Sequence, residues 1–90
     1  MHAVVVRVKI NDVEKAQQGL ENDVVPRVSA SPGFHAAYWT RGSEGGANGL
    51  SMLIFDSEEN ARAIADQIPQ GLPDAVTLDS VEVREVAASA

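Results

Sequence analysis

LSMLIFDSEENARAIADQI, residues 50–68, decides the fold, because its hydrophobic period changes partway along. The first seven residues are too short and too continuously apolar for a helix and read as a strand. Leu50, Met52 and Ile54 point to one side of it, Leu53 and Phe55 to the other. Asp56-Ser57-Glu58-Glu59 then carries a helix-start signature. Asp56 and Glu59 stand at capping-box spacing, and the acids sit near the positive end of the helix dipole. Ala61, Ile64, Ala65 and Ile68 follow at i, i+3, i+4 and i+7, which predicts an amphipathic helix. PQGLPD, residues 69–74, stops it.

Outward from this unit the same logic repeats. GSEGGANG (42–49) precedes it, and its four glycines suit a hairpin loop back to a strand over 34–41. HAVVVRVKI (2–10) is rich in β-branched residues and reads as the first strand. NDVE (11–14) opens a helix with Asn11 as its cap, and Glu14 sits where a capping-box acid reaches back. Val13, Ala16, Leu20, Val24 and Val28 continue as one apolar stripe. Pro26 interrupts this stripe, since it cannot donate to the carbonyl four residues earlier, and a kink is expected there. Ser31-Pro32-Gly33 ends the segment. AVTLDSVEVREV (75–86) reads as the fourth strand, and AASA as a loose tail.

The order β-α-β-β-α-β in 90 residues predicts a single α+β domain, residues 1–90. Its expected form is ferredoxin-like: a four-stranded antiparallel sheet with two helices on one face. The other face should then alternate apolar and polar residues, and it does not. Strand three is apolar on both sides. Val5 makes the same point for strand one, and Ala37 with Trp39 for strand two. Such a patch calls for a cover from outside the chain, and a second copy packed sheet to sheet is the simplest one. A homodimer is therefore expected.

Composition narrows the partners. The net charge is −6 and the seven basic residues are scattered, so a nucleic-acid phosphate backbone is a poor match. The absence of cysteine removes disulfides and thiolate chemistry and fits a reducing, cytoplasmic setting. No apolar run reaches the roughly 20 residues of a membrane span. Two histidines, one of them terminal, predict no metal site. GSEGGANG lacks the Lys-Ser/Thr ending of a phosphate loop and precedes a strand.

With its βαββαβ order, its first helix running into SPGF (31–34) and its hairpin leading into LIFDSEENARA (53–63), the chain resembles the dimeric α/β-barrel superfamily. Within it, the chain is most similar to antibiotic-biosynthesis-monooxygenase-like (ABM-like) domains, over about residues 3–86. The resemblance implies a barrel made by two chains. It also implies either cofactor-free oxidation of electron-rich aromatic molecules or degradation of haem. Haem-degrading members carry an asparagine on strand one, a tryptophan at the end of strand three and a histidine on the second helix. Here those places fall on Arg7, on Phe55 and on a helix with no histidine, so haem degradation is disfavoured. The cofactor-free oxygenases use Trp, Asn, Tyr and Arg side chains, which Trp39, Tyr38 and Arg7 match in type.

PGFHAAYWTR (32–41) holds most of the candidate site. Strict alternation with Phe34 toward the helices puts His35, Trp39 and Arg41 on the uncovered face, beside Arg7 and Lys9. That predicts a pocket between sheet and partner for a small aromatic or acidic molecule. Trp39 would stack on it, Arg7 or Arg41 would hold its anion, and Phe55 would add an apolar wall. The bland alternative makes Trp39 a dimer-interface anchor, with Arg7 and Arg41 paired to Glu82 or Glu85. His35 is the candidate general base, and Tyr38 a candidate donor to a bound oxygen species. As a structural residue, Tyr38 would be a core tyrosine, and Met52 is expected to fill the core. Three functions fit: a small-molecule-binding protein, a cofactor-independent monooxygenase, or a non-catalytic dimerisation module. No cofactor is expected in any of them.

Overall fold

The valines from Val4 to Val6 build the centre of the sheet, where β-branched side chains pack best on a pleated surface. In the computed structural model, which describes residues 1–42 and 46–90, this run belongs to β1 (His2–Ile10). A first helical stretch follows as α1 (Val13–Gly19), a π-helical turn (Leu20–Val24) and α2 (Val25–Ser29). The β2 (Phe34–Arg41) and β3 (Asn48–Phe55) strands form a hairpin, then come α3 (Glu58–Gln67), a single 3₁₀ turn (Ile68–Gln70) and β4 (Val76–Glu85). Part of the expected glycine-rich loop, residues 43–45, lies outside the described residues. The strand order is β2-β3-β1-β4, antiparallel throughout, so the expected ferredoxin-like α+β fold is the one the chain adopts.

Both helix starts fall one residue later than expected. Asp12, not Asn11, caps α1, and its carboxylate accepts from the Lys15 backbone N–H at 3.1 Å. Asn11 instead donates to Thr77 Oγ1 at 3.0 Å. Ser57, not Asp56, caps α3 through the Asn60 N–H, while Asp56 accepts from Asn60 Nδ2 at 2.9 Å. Pro26 does interrupt the first helix, and the interruption has a defined form. The Val25 N–H reaches back five residues to the Leu20 carbonyl, so the turn widens just before the proline that cannot donate.

Two bulges set which side chains meet. Between β2 and β3 the register shifts at Phe34/Ala36, leaving His35 as the extra residue. Between β1 and β4 it shifts at Arg7/Val8, leaving Asp79 as the extra one. Each bulge flips the alternation beyond it. Phe34 and Trp39 therefore share the helix-facing side although they stand five positions apart, as do Val76, Leu78, Val81 and Val83 across the second bulge. On that side Val4, Leu53, Phe55, Ala61 and Ile64 form the core, with Phe34, Ala37 and Trp39 packed against it. Phe34 and Phe55 meet edge to face at 6.0 Å between ring centres.

The opposite face carries rows that run across the sheet: Tyr38–Met52–Val5–Glu82 and Thr40–Leu50–Arg7–Ser80. Tyr38, Met52 and Leu50 are 70%, 45% and 43% exposed there, so neither Met52 nor Tyr38 is the core residue expected of it. Arg7 Nη1 donates to Glu82 Oε1 at 2.9 Å, and Arg84 approaches the other oxygen at 3.3 Å. The bond from Arg7 holds the Glu82 carboxyl below its ordinary value of 4.5, against a smaller opposing effect of desolvation. A carboxylate with a depressed folded-state pKa contributes stability above its unfolded pKa, and loses it as pH falls through the folded value. Denaturant midpoints measured below about pH 4.5 should therefore fall more steeply for the wild type than for Glu82→Gln. Equal slopes would mean that the pair exists only as an exposed, fluctuating contact.

Candidate functional site

Small residues on β3 hollow out the helix-facing side of the sheet. Gly49 is buried, and a Cβ on it would come within 2.7 Å of Val8 Cγ2. Ser51 stands between Val6 and Trp39 in the next row. Above them the widened helical turn holds Leu20 and Val24 over the gap. The result is a cleft of about 540 Å³, within the range of small-molecule sites. Protein interiors close voids far smaller than this, because unfilled apolar volume costs stability.

The cleft has an apolar body and one polar rim. Its floor is Val6, Val8 and Trp39, its roof Leu20, Val24 and Val28. Ile68, Leu72 and Pro73 close the end beneath β4. That end is tied down by Arg27, whose Nη2 donates to the Gly71 carbonyl at 3.0 Å, and by Gly19, where an added Cβ would stand 3.0 Å from Pro73. At the β2 edge lie Gln17, Thr40 and Arg41. Arg41 Nη1 donates to the Gln17 side-chain oxygen, and Thr40 Oγ1 donates to the Leu50 carbonyl at 2.6 Å. Among the described lining residues there is no aspartate, glutamate, histidine or lysine.

The structure brings together two of the six residues singled out from the sequence. Trp39 and Arg41 both line the cleft, but on the helix side, not the uncovered face where strict alternation put them. The bulge at His35 is the reason. The cleft they share lies between the sheet and the chain's own helices. Arg7 is on the opposite face, paired with Glu82. Phe55 is 0% exposed and belongs to the core, with no surface to offer a ligand. His35 is exposed at the bulge, and Tyr38 is exposed on the opposite face, so neither candidate catalytic group lines the cleft. Leu20, Val24, Gly49 and Ser51 were not singled out. The signal for the two helical residues was present, since a proline two positions past Val24 distorts the turn that carries them.

The fold and the cleft define a class: a small ferredoxin-like α+β protein with an apolar cleft under its helices. No protein-family model and no curated protein sequence matches the chain. Among solved structures, a dimeric ferredoxin-like protein from an uncultured marine organism superposes with a TM-score of 0.61 at 10% identity, covering 99% of this chain and 97% of that one. The haem degrader MhuD from Mycobacterium tuberculosis, solved with two haems in its active site, superposes with a TM-score of 0.56 at 23% identity over 97% and 98%. At these identities the likeness is one of fold.

The cleft lining contains no histidine among the described residues. His2 sits in the row of Phe55, at the end of β1 away from the cleft, with its Nδ1 buried and unpartnered.

Proposed function

We propose that this protein binds a small, largely apolar molecule in the cleft between its sheet and first helices, and that it does so as a homodimer. The cleft carries the reading. A mostly apolar cleft of about 540 Å³ beside the chain's one tryptophan has the size and character of a small-molecule site. Because Trp39 is the only tryptophan, its fluorescence reports occupancy directly. A neutral apolar dye such as N-phenyl-1-naphthylamine should quench or shift that emission. Ser51→Leu, which places a branched side chain on the cleft floor, should weaken the effect roughly tenfold, about the worth of one apolar group shut out of a pocket. An unchanged titration would mean that the dye sits elsewhere.

The dimer follows from the opposite face. Tyr38, Leu50 and Met52 form an apolar patch flanked by the Arg7–Glu82–Arg84 cluster, and the marine protein that shares this fold is itself dimeric. Light scattering after size exclusion should give twice the chain mass. Met52→Asp, which puts a charge in the middle of the patch, should give one chain mass. A dimeric Met52→Asp would move the interface off this face. Since the cleft opens on the other side of the sheet, dye binding and dimerisation should respond to different substitutions.

A second reading is a cofactor-independent monooxygenase acting on an electron-rich aromatic substrate. Trp39 and Arg41 in the cleft favour it, as a stacking surface and an anion partner. The positions of His35 and Tyr38 do not, because neither reaches a molecule bound there. Oxygen uptake with a phenolic substrate separates the two readings: uptake lost in Ser51→Leu would favour catalysis in the cleft. A purely structural dimerisation module would show neither uptake nor dye binding.

A further inference from the structure

We propose that the cleft takes an aliphatic monocarboxylate, with its chain buried under the helices and its carboxylate held by Arg41 at the β2 edge. The inference rests on the cleft-binding reading and specifies its ligand.

Three features of the lining select this class. The first is charge. Arg41 is the one cation among the described lining residues, and none of those residues is an acid. Its partner there is the neutral amide oxygen of Gln17. A carboxylate replacing the Gln17 oxygen exchanges a neutral acceptor for a charged one, the stronger and more directional bond for a guanidinium. Gln17 is well suited to release, since its own amide nitrogen already donates to Glu21 at 2.8 Å.

The second feature is shape. Apart from Trp39 the walls are branched aliphatic groups: Val8, Leu20, Val24, Ile68 and Leu72. Such walls are irregular, and a flexible chain fits them better than a rigid planar ring system does. The third is length. The cleft runs from Arg41 on β2 to Ile68 and Leu72 under β4, across β3 and β1. Three inter-strand spacings give roughly 14 Å, the reach of an extended chain of about 10 to 12 carbons. With the head at Arg41, the body of the chain would pass the row of Trp39, Ser51 and Val6.

Trp39 emission provides the test on the intact chain. Decanoate, decanol, decylamine and naphthoate would be titrated against the wild type, Arg41→Gln and Arg41→Lys, with circular dichroism confirming that each variant is folded. Decanoate should bind about tenfold more tightly than decanol or decylamine, the difference expected of one charge-assisted bond at a partly exposed rim. Arg41→Gln should remove that preference while leaving decanol binding in place, and Arg41→Lys should keep part of it. Equal binding of decanoate and decanol by the wild type would overturn the carboxylate assignment and leave the cleft standing. Binding of naphthoate without decanoate would overturn the aliphatic assignment alone. If no compound shifts the emission, including the apolar dye, the cleft-binding reading fails and this inference with it.

Discussion

Phe55→Ala should remove a large part of the protein's stability. Phe55 is 0% exposed, stacks edge to face on Phe34 and shares a core cluster with Val4, Leu53, Ala61 and Ile64. It is thus the contact point of β1, β3 and α3 on the closed side of the sheet. Truncating a buried phenylalanine costs about 3–5 kcal/mol, from lost transfer energy and from the cavity left behind. A domain of this size holds about 5–15 kcal/mol in all. Urea unfolding followed by far-ultraviolet circular dichroism should show the midpoint falling by about a fifth or more, or no folded baseline. The same experiment decides a question of role. If Phe55 lined a ligand site, its loss would spare the midpoint and weaken binding instead.

A comparable effect is expected from one added methyl group at Gly33. This residue has φ of 76°, in the left-handed region where a side chain is strained. Its carbonyl accepts from the Asp56 N–H at 2.9 Å, which draws the Pro32-Gly33 turn onto the start of α3. A Cβ there would stand 2.2 Å from Asp56 Oδ1 and 2.4 Å from Asn60 Nδ2, inside the hydrogen bond joining those side chains. Backbone strain alone costs about 1–3 kcal/mol, and the collision adds to it. For a chain of this length each 1 kcal/mol lowers the melting temperature by about 4–8 °C, so the strain alone should put Gly33→Ala about 4–24 °C below the wild type. Pro32→Ala, beside it on the exposed side of the turn, should change little. A melting temperature within a few degrees of the wild type would show that the turn does not approach α3 so closely.

Much of this architecture was legible in the order of residues. Local chemistry determined the elements: β-branched runs for β1 and β4, acidic and hydroxyl caps before α1 and α3, and glycines between β2 and β3. The bounds of β2 agree with those read from PGFHAAYWTR. The helix-starting stretches were right to within one residue. The miss there was one of choice between adjacent capping groups, Asn11 or Asp12 and Asp56 or Ser57, all of them residue types that cap helices about equally well. Trp39 and Arg41 were singled out by type alone, as a ring and a cation on one strand.

Their facing was another matter. A strand read by itself supports only strict alternation, and that rule put Trp39 and Arg41 with Arg7 on the uncovered side. A hint of the bulges existed, in the slip of the apolar pattern from Val76 and Leu78 to Val81 and Val83. Near His35 the small Ala36 and Ala37 hid the corresponding slip, because alanine suits either face. The sequence by itself therefore determined which segments become strands and helices, since capping, branching and turn chemistry act over a few residues. Only the tertiary structure decided which side of the sheet each side chain joins, because a bulge is a property of two paired strands and one extra residue reverses every face beyond it.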